Sequence, residues 1–434
     1  MRISTVALAI TALWLPESQA GPDPDPYLTR FTDQFLATPG FNVAQVSKLE
    51  LDRFTVSFGG LSIVVGASGA PFSGTNRISL YEYNSKLELT DSDTNVGATG
   101  ALGVFDMILL DDLGLAVEAD GEQFGDSNID LINSVGIRTT DVLINRRLQD
   151  LTVAFGVNYD AVVSTSDDNG AYANFATYDL GGAFLIGAGY GDIVDTGNFG
   201  SSLTSRSFDV SLTFKRAKGP STAEHLFVWS NNGSAGDDNQ ASSIQGRIGF
   251  SDASLGSQFQ INDVIPGSQI GPQAAIGPNG DFVVVWNSDS SPGDDSFSSI
   301  QARLFNPDGS PKGPQFQVNQ KTAGFQLVPD VAVDQSGSFF VVWSDFSPVD
   351  NDADIYFRSF SAAGDPGGDE FILSQGGRGN YSQPQIIVAG ERLVAAWIDG
   401  NAVTMRATSG NLFANGFEAD TVPGPAAAVR RGGR

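Results

Sequence analysis

At 434 residues with no cysteine and a single histidine, the chain excludes disulfide frameworks, thiolate metal sites, cysteine nucleophiles and most histidine-based catalytic arrangements. Its 50 acidic and 24 basic residues give a formal charge of −26, which argues against nucleic acid or an anionic membrane as partner. Hydrophobic content of 41% with 30 Phe supports a large core, and 51 Gly with 20 Pro point to many tight turns between short strands.

Residues 1–20 read as a signal peptide. Arg2 supplies the positive region, Val6 to Leu15 the apolar run, and Ser18-Gln19-Ala20 the small-residue cleavage site. The apolar run is too short to span a bilayer, and no later segment is long and apolar enough. The mature chain is therefore expected to begin near Gly21 and to leave the cytoplasm.

Tyr27 to Val46 carries an extra pair of strand-like pieces, and units of four pieces follow. In the first unit these are Asp52 to Ser57, Leu61 to Val65, Arg77 to Tyr83 and Leu87 to Leu89. The second runs Phe105 to Leu110, Gly114 to Val117, Asn128 to Asn133 and Val142 to Asn145. The third runs Asp150 to Phe155, Asp160 to Val163, Tyr172 to Tyr178 and Phe184 to Ala188. From Phe208 onward the units become explicit, because four of the five tryptophans close the same apolar phrase. His225 to Trp229, Phe282 to Trp286, Phe339 to Trp343 and Leu393 to Trp397 are spaced 57, 57 and 54 residues apart.

Each of these later units repeats one order of pieces. A strand after proline comes first, as in Pro272 to Ile276, Pro329 to Val333 and Pro384 to Val388. A turn such as Pro278-Asn279-Gly280 leads to the Trp strand. An Asp/Ser/Gly-rich loop then precedes Ile244 to Ile248, Ile300 to Leu304 and Ile355 to Ser359. Gln258 to Asn262, Gln315 to Asn319 and Glu370 to Leu373 supply the fourth piece, and Val403 to Phe417 the last pair. Seven second strands at about 55-residue intervals predict an all-β, seven-bladed β-propeller of four-stranded antiparallel blades over residues 21–420. The alternative is a separate N-terminal β-domain followed by an array of three to four blades. One of the surplus end pairs is expected to close the ring by pairing with the opposite end of the chain, hiding the edges. Residues 421–434, rich in Pro, Ala, Gly and Arg, read as a disordered tail.

The units over roughly residues 220–407 resemble a repeat of bacterial extracellular proteins that runs Pro-x-Val-Ala, Gly-x-Phe-Val-Val-x-Trp, an Asp/Gly-rich loop, Ile-x-x-Arg-Phe and Phe-x-Val-Asn. Pro329 to Trp343, Asp345 to Asp354, Ile355 to Phe360 and Phe316 to Asn319 carry that likeness. The resemblance implies a secreted, propeller-type module without an established chemistry. Phe413 to Glu418 also resembles a terminal phrase of secreted proteins of some Gram-negative bacteria.

Candidate chemistry concentrates in the loops after the Trp strands. They hold Asp237-Asp238, Asp289 with Asp294-Asp295, and Asp345 with Asp350, Asp352 and Asp354. Alternating carboxylates suit a hard cation, so Asp345, Asp350, Asp352 and Asp354 are the candidate Ca2+ ligands, against a reading as solvated turn residues. Arg247, Arg303 and Arg358 recur at one position. A ring of arginines would receive an anionic glycan, as in a sialidase, whereas recurrence in every unit favours bonds within each blade to its Asp-rich loop or a turn carbonyl. His225 stands at an apolar strand position, and the tryptophans at strand ends suit core packing between blades better than carbohydrate stacking. Ser166 to Gly170 matches the start of an Asp-box turn without its aromatic. Among 50 acidic residues no pair is singled out for glycoside hydrolysis.

These observations predict a secreted bacterial binding or interaction module, a monomer that recognises a glycan, a cell-surface component or a protein. A sialidase-like or other glycan-cleaving propeller is the enzymatic alternative, and a calcium-stabilised envelope component the structural one.

Overall fold

The computed structural model describes residues 24–56, 60–70, 77–98, 104–110, 114–119, 128–129, 152–160, 171–178, 184–192, 210–214, 223–232, 242–250, 256–289, 298–347, 352–375 and 381–409. Within them the chain is all-β, with no helix. After β1 (Phe35–Leu36), the first sheet holds β2 (Gln45–Val56), β3 (Gly60–Ala70), β4 (Arg77–Asn84) and β5 (Leu89–Ala98). The second holds β6 (Val104–Leu110) and β7 (Gly114–Ala119), and the third β8 (Asn128–Ile129), β9 (Thr152–Asp160), β10 (Ala171–Tyr178) and β11 (Phe184–Asp192). The fourth consists of β12 (Val210–Phe214), β13 (Ala223–Asn232), β14 (Ser242–Phe250) and β15 (Phe259–Gln260). The fifth follows with β16 (Gln269–Ile276), β17 (Phe282–Ser288), β18 (Ser299–Phe305) and β19 (Phe316–Gln317). The sixth has β20 (Phe325–Val333), β21 (Phe339–Ser347), β22 (Asp352–Phe360) and β23 (Phe371–Ile372). The seventh has β24 (Tyr381–Ala389), β25 (Arg392–Asp399) and β26 (Ala402–Ala407), and β1 is its fourth strand.

The second strands β17 and β21 are runs of Val, Phe and Trp because both their faces are covered. Every residue of β17 is buried, which fits a strand sandwiched between neighbouring sheets rather than one with a wet face. Leu226, Val228 and Ile244 of the fourth sheet share one core with Trp286 and Val284 of the fifth. Val283, Val285 and Ile300 of the fifth pack with Trp343 and Val341 of the sixth, and Phe340 and Phe357 of the sixth with Trp397 and Ala395 of the seventh. The same relationship continues past the chain end. Val394, Ala396, Ile398 and Met405 of the seventh sheet pack with Leu49, Leu51, Ile63 and Tyr81 of the first, and β2 in turn lies against β6. The first sheet is thus no body apart from the tryptophan-bearing ones.

The N-terminal segment, not the C-terminal one, supplies the joining strand. Phe35 pairs with Met405 and Leu36 with Thr404 in an antiparallel ladder. Before it, residues 24–34 cross the sixth sheet. The Asp25 carboxylate accepts bonds from the Ser359 backbone N–H at 2.9 Å and the Ser359 hydroxyl at 2.7 Å. Tyr27 meets Phe340 edge-on, and Phe31 meets Phe357 in the same way.

Several strand expectations need correction, among them the first unit's fourth strand, which is Leu89–Ala98 rather than Leu87 to Leu89. The first unit's opening strand starts at Gln45 rather than Asp52, because Gln45 to Leu51 pair with Ala70 to Val65 before the predicted start. In the third unit, no turn separates Phe155 from Asp160. Thr152–Asp160 is one strand, and Asn128–Ile129, expected in the second unit, pairs with its end as the first strand of that same sheet. Its sequence alternates apolar residues at Val153, Phe155, Val157 and Tyr159, and a β-bulge at Gly156 shifts the register with β10. Residues 1–20, Val142 to Asn145, Ser166 to Gly170 and the tail 421–434 lie outside the described residues.

Candidate functional site

The recurring polar residues hold the third and fourth strands of each sheet together or tie one sheet to its neighbour. Asn262 Oδ1 accepts from the Ile244 N–H, Asn319 Oδ1 from Ile300, Ser374 Oγ from Ile355, and Thr38 Oγ1 from Val403. Phe35-Leu36-Ala37-Thr38 therefore fills, in the seventh sheet, the place that Phe316-Gln317-Val318-Asn319 fills in the fifth. Sequence reading missed it because only its phenylalanine matches the phrase.

The arginines staple one sheet to the next. Arg303 donates from Nε to Gly313 O in its own sheet and from Nη1 to Ile261 O in the preceding one. Arg358 does the same with Gly368 O and Val318 O. Arg406, which the sequence reading did not single out, donates to Thr32 O, Leu373 O and Phe31 O. Arg247 donates to Gly256 O. The turn-carbonyl expectation therefore holds, and Arg303 and Arg358 add a carbonyl of the preceding sheet. Burial lowers the pKa of Arg303, Arg358 and Arg406. Guanidinium groups bonded to carbonyls in this way form no open ring for an anionic glycan.

Trp286, Trp343 and Trp397 are fully buried, so they are core and not stacking platforms. His225 lies within β13, opposite Phe214 and Gly249.

Of the candidate cation ligands, Asp345, Asp352 and Asp354 meet at the loop end of the sixth sheet, and Asp350 lies outside the described residues. Asp345 faces Asp354 across β21 and β22, and Ser347 faces Asp352. Asp345 is buried and accepts from Lys321 Nζ at 2.6 Å and Gln326 Nε2 at 3.0 Å. Burial opposes the charge on Lys321, but its bond to Asp345 and the nearby acidic groups prevail and its pKa is raised. Asp354 accepts from the Ser374 hydroxyl at 2.9 Å. Burial raises its pKa, the Ser374 bond opposes this, and the charges of Asp352 and Asp345 add to the rise. Burial likewise raises Asp289 and Asp399. Among the described residues no group of three or more acidic or histidine side chains is arranged to hold a metal ion.

A cleft of about 70 Å³ opens at the opposite, turn end of the fifth and sixth sheets, lined by Pro278, Asn279, Phe282, Leu304, Lys312 and Ala362 among others. The Lys312–Asp281 ion pair at 2.7 Å crosses it. Among the described residues no helix is long and apolar enough to cross a membrane.

No family model matches the chain, and no curated protein matches it. Among solved structures, it is similar to a protein of unknown function from Dyadobacter fermentans. That protein is 9% identical with a TM-score of 0.51, over 87% of this chain and 98% of the other. An alpha-L-arabinanase of Penicillium chrysogenum aligns at 12% identity and a TM-score of 0.43, over 88% of this chain and 98% of its own. The NanB sialidase of Streptococcus pneumoniae aligns at 8% identity and a TM-score of 0.44, over 87% of this chain and 70% of its own. The first similarity concerns the fold alone, and the other two are too distant to bear on what this chain does.

Proposed function

We propose that the chain is a secreted, monomeric, seven-bladed β-propeller that acts as a binding module for a glycan, a cell-surface component or a protein. The observation that carries this reading is the use made of its repeated polar groups. Arg303, Arg358 and Arg406, with Asn262, Asn319, Ser374 and Thr38, are bonded to the backbone of their own or adjoining sheets. Such residues build a rigid scaffold whose loops are left to carry recognition. A glycan-array screen of the secreted chain, paired with a hydrolysis assay on the sugars retained, tests it. Retention without turnover is the expected result, and turnover of a retained glycan would replace the module by an enzyme.

A second reading rests on Asp352, whose Oδ1 is buried without a hydrogen-bond partner. A calcium ion taken up beside Asp352 and Asp354 would stiffen the loop end of the sixth sheet. A melting curve in excess chelator checks this, since a site occupied in the folded state alone raises the midpoint. An unchanged midpoint rejects calcium as a stabiliser.

A further inference from the structure

One carboxyl group stands where the adjoining sheets carry an amide. In the first strands β16, β20 and β24, the residue after the proline is Gln273, Asp330 and Gln385. Gln385 joins its sheet to the next by donating from Nε2 to Leu49 O and accepting at Oε1 from the Leu51 N–H. Asp330 occupies the corresponding place one sheet earlier, and its Oδ2 accepts from the Ile386 N–H of β24 at 2.7 Å. An amide donates and accepts, as a protonated carboxyl does, whereas an ionised carboxylate can only accept.

Among the described residues no cation faces Asp330. Of the elements packed against β20, β16 and β17 have no ionisable side chain. β24 has only Tyr381, whose hydroxyl donates to Gln375 O. β21 has only Asp345, held by Lys321 and Gln326, and β22 lies beyond it. β18 has only Arg303, engaged by Gly313 O, Ile261 O and Asp263. The residue retains some exposed surface, while its carboxyl is surrounded by protein. Burial pushes this carboxyl up to about 7, against the opposing bonds from the Ile386 and Val331 N–H groups.

We propose that Asp330 is a proton-operated tie between the sixth and seventh sheets. With its proton, it accepts from the Ile386 N–H without placing a charge at the seam. When the proton leaves for solvent, an uncompensated charge remains at the seam, and admitting water between the sheets relieves it. The device regulates closure of the sheet array, whatever ligand the loops take.

The test uses the full secreted chain, with carboxyl carbon NMR on the wild type and melting curves of wild type and Asp330→Asn across the pH range. A folded-state pKa above the unfolded value means that stability falls as pH rises from about 4 to about 7 and is level above. Asp330→Asn keeps an acceptor for Ile386 and removes that part of the fall. The variant is expected to match the wild type in acid and to melt several degrees higher in mild alkali. A carboxyl titrating in the ordinary aspartate range would overturn the proposal, and this reading needs no variant to fold. Parallel melting curves for the two chains would overturn it as well.

Discussion

Gln34 and Gln375, 341 residues apart, exchange hydrogen bonds. The Gln375 N–H donates to Gln34 Oε1 at 2.8 Å, and the Gln34 N–H donates to Gln375 Oε1 at 3.3 Å. The pair repeats inside the chain. Gln315 and Asp263 exchange bonds between the fifth and fourth sheets, and Glu370 and Gln320 between the sixth and fifth. The seam between the sixth and seventh sheets, where the N-terminal segment supplies the fourth strand, is therefore built like the two seams before it.

Gln34→Ala and Gln375→Ala each remove one side-chain acceptor from a backbone N–H of that seam. Neutral, exposed bonds of this kind contribute about 0.5–1.5 kcal/mol each, so each substitution should cost an amount at the low end of that range. Chemical denaturation of the two variants beside the wild type reads it. Variants as stable as the wild type would mean that the pair does not hold the seam.

Arg406 ties the N-terminal segment to two sheets at once, through Thr32 O, Phe31 O and Leu373 O, and its side chain lies over the Phe31 ring. Lysine cannot span these carbonyls, because its ammonium is a single point and not a planar fork. Arg406→Lys should cost about 2–3 kcal/mol, the worth of one or two buried charge-assisted bonds. Limited proteolysis of the variant should cut first within residues 24–34. Protection of that segment equal to wild type would contradict the assigned role.

The later units were legible because their apolar phrases are uninterrupted. Phe282 to Trp286 and Phe339 to Trp343 have both faces covered, so the strand shows directly in the residues. Seven sheets lie among the described residues, six of four strands and one of two, and the third sheet's second strand is Thr152–Asp160 rather than Asp160 to Val163. The seams were less legible. Thr38 does the work of Asn319, and Ala37 that of Val318, because any short side chain with an oxygen can accept the same N–H. Arg406 was passed over because Val403 replaces the isoleucine that stands three residues before Arg247, Arg303 and Arg358. Asp330 carried a signal in its alternation with Gln273 and Gln385. Lys321 carried none, since its partner Asp345 lies 24 residues away in a different element.

Tyr83 connects the first sheet to the joining segment. Its buried hydroxyl donates to Ala37 O at 2.7 Å. Tyr83→Phe should cost about 1 kcal/mol, since it leaves that carbonyl without its donor. Burial pushes the Tyr83 phenol up to about 12, with Tyr81 adding to the rise, and burial does the same for Tyr27. A folded-state pKa above the unfolded value again means stability lost with rising pH, here between about 10 and about 12. Spectrophotometric titration of the folded chain should show a late-ionising class of tyrosines that shrinks in Tyr83→Phe. A titration unchanged by the substitution would remove Tyr83 from that class.

Val328 holds a backbone conformation that suits glycine. Its φ is +52°, and at the equivalent place before the proline of the fifth sheet stands Gly271, with φ of +61°. The seventh sheet has Gln383 there, at +48°. In all three sheets this residue lies within a register shift of the first strand, at Ile270/Gln273, Leu327/Asp330 and Ser382/Gln385. A left-handed conformation costs a residue with a side chain roughly 1–2 kcal/mol, and a β-branched one is a clear outlier there. The Val328 side chain is 47% exposed, so little packing is lost with it. Glycine would recover the strain while giving back about 0.5–1 kcal/mol through the freer unfolded chain. Val328→Gly should therefore stabilise the protein by up to about 1 kcal/mol, read as a higher melting midpoint. Gly271→Val, the reverse change one sheet earlier, should destabilise it by a similar or larger amount. If Val328→Gly instead lowers the midpoint, the exposed isopropyl group is held by contacts that outweigh its strain.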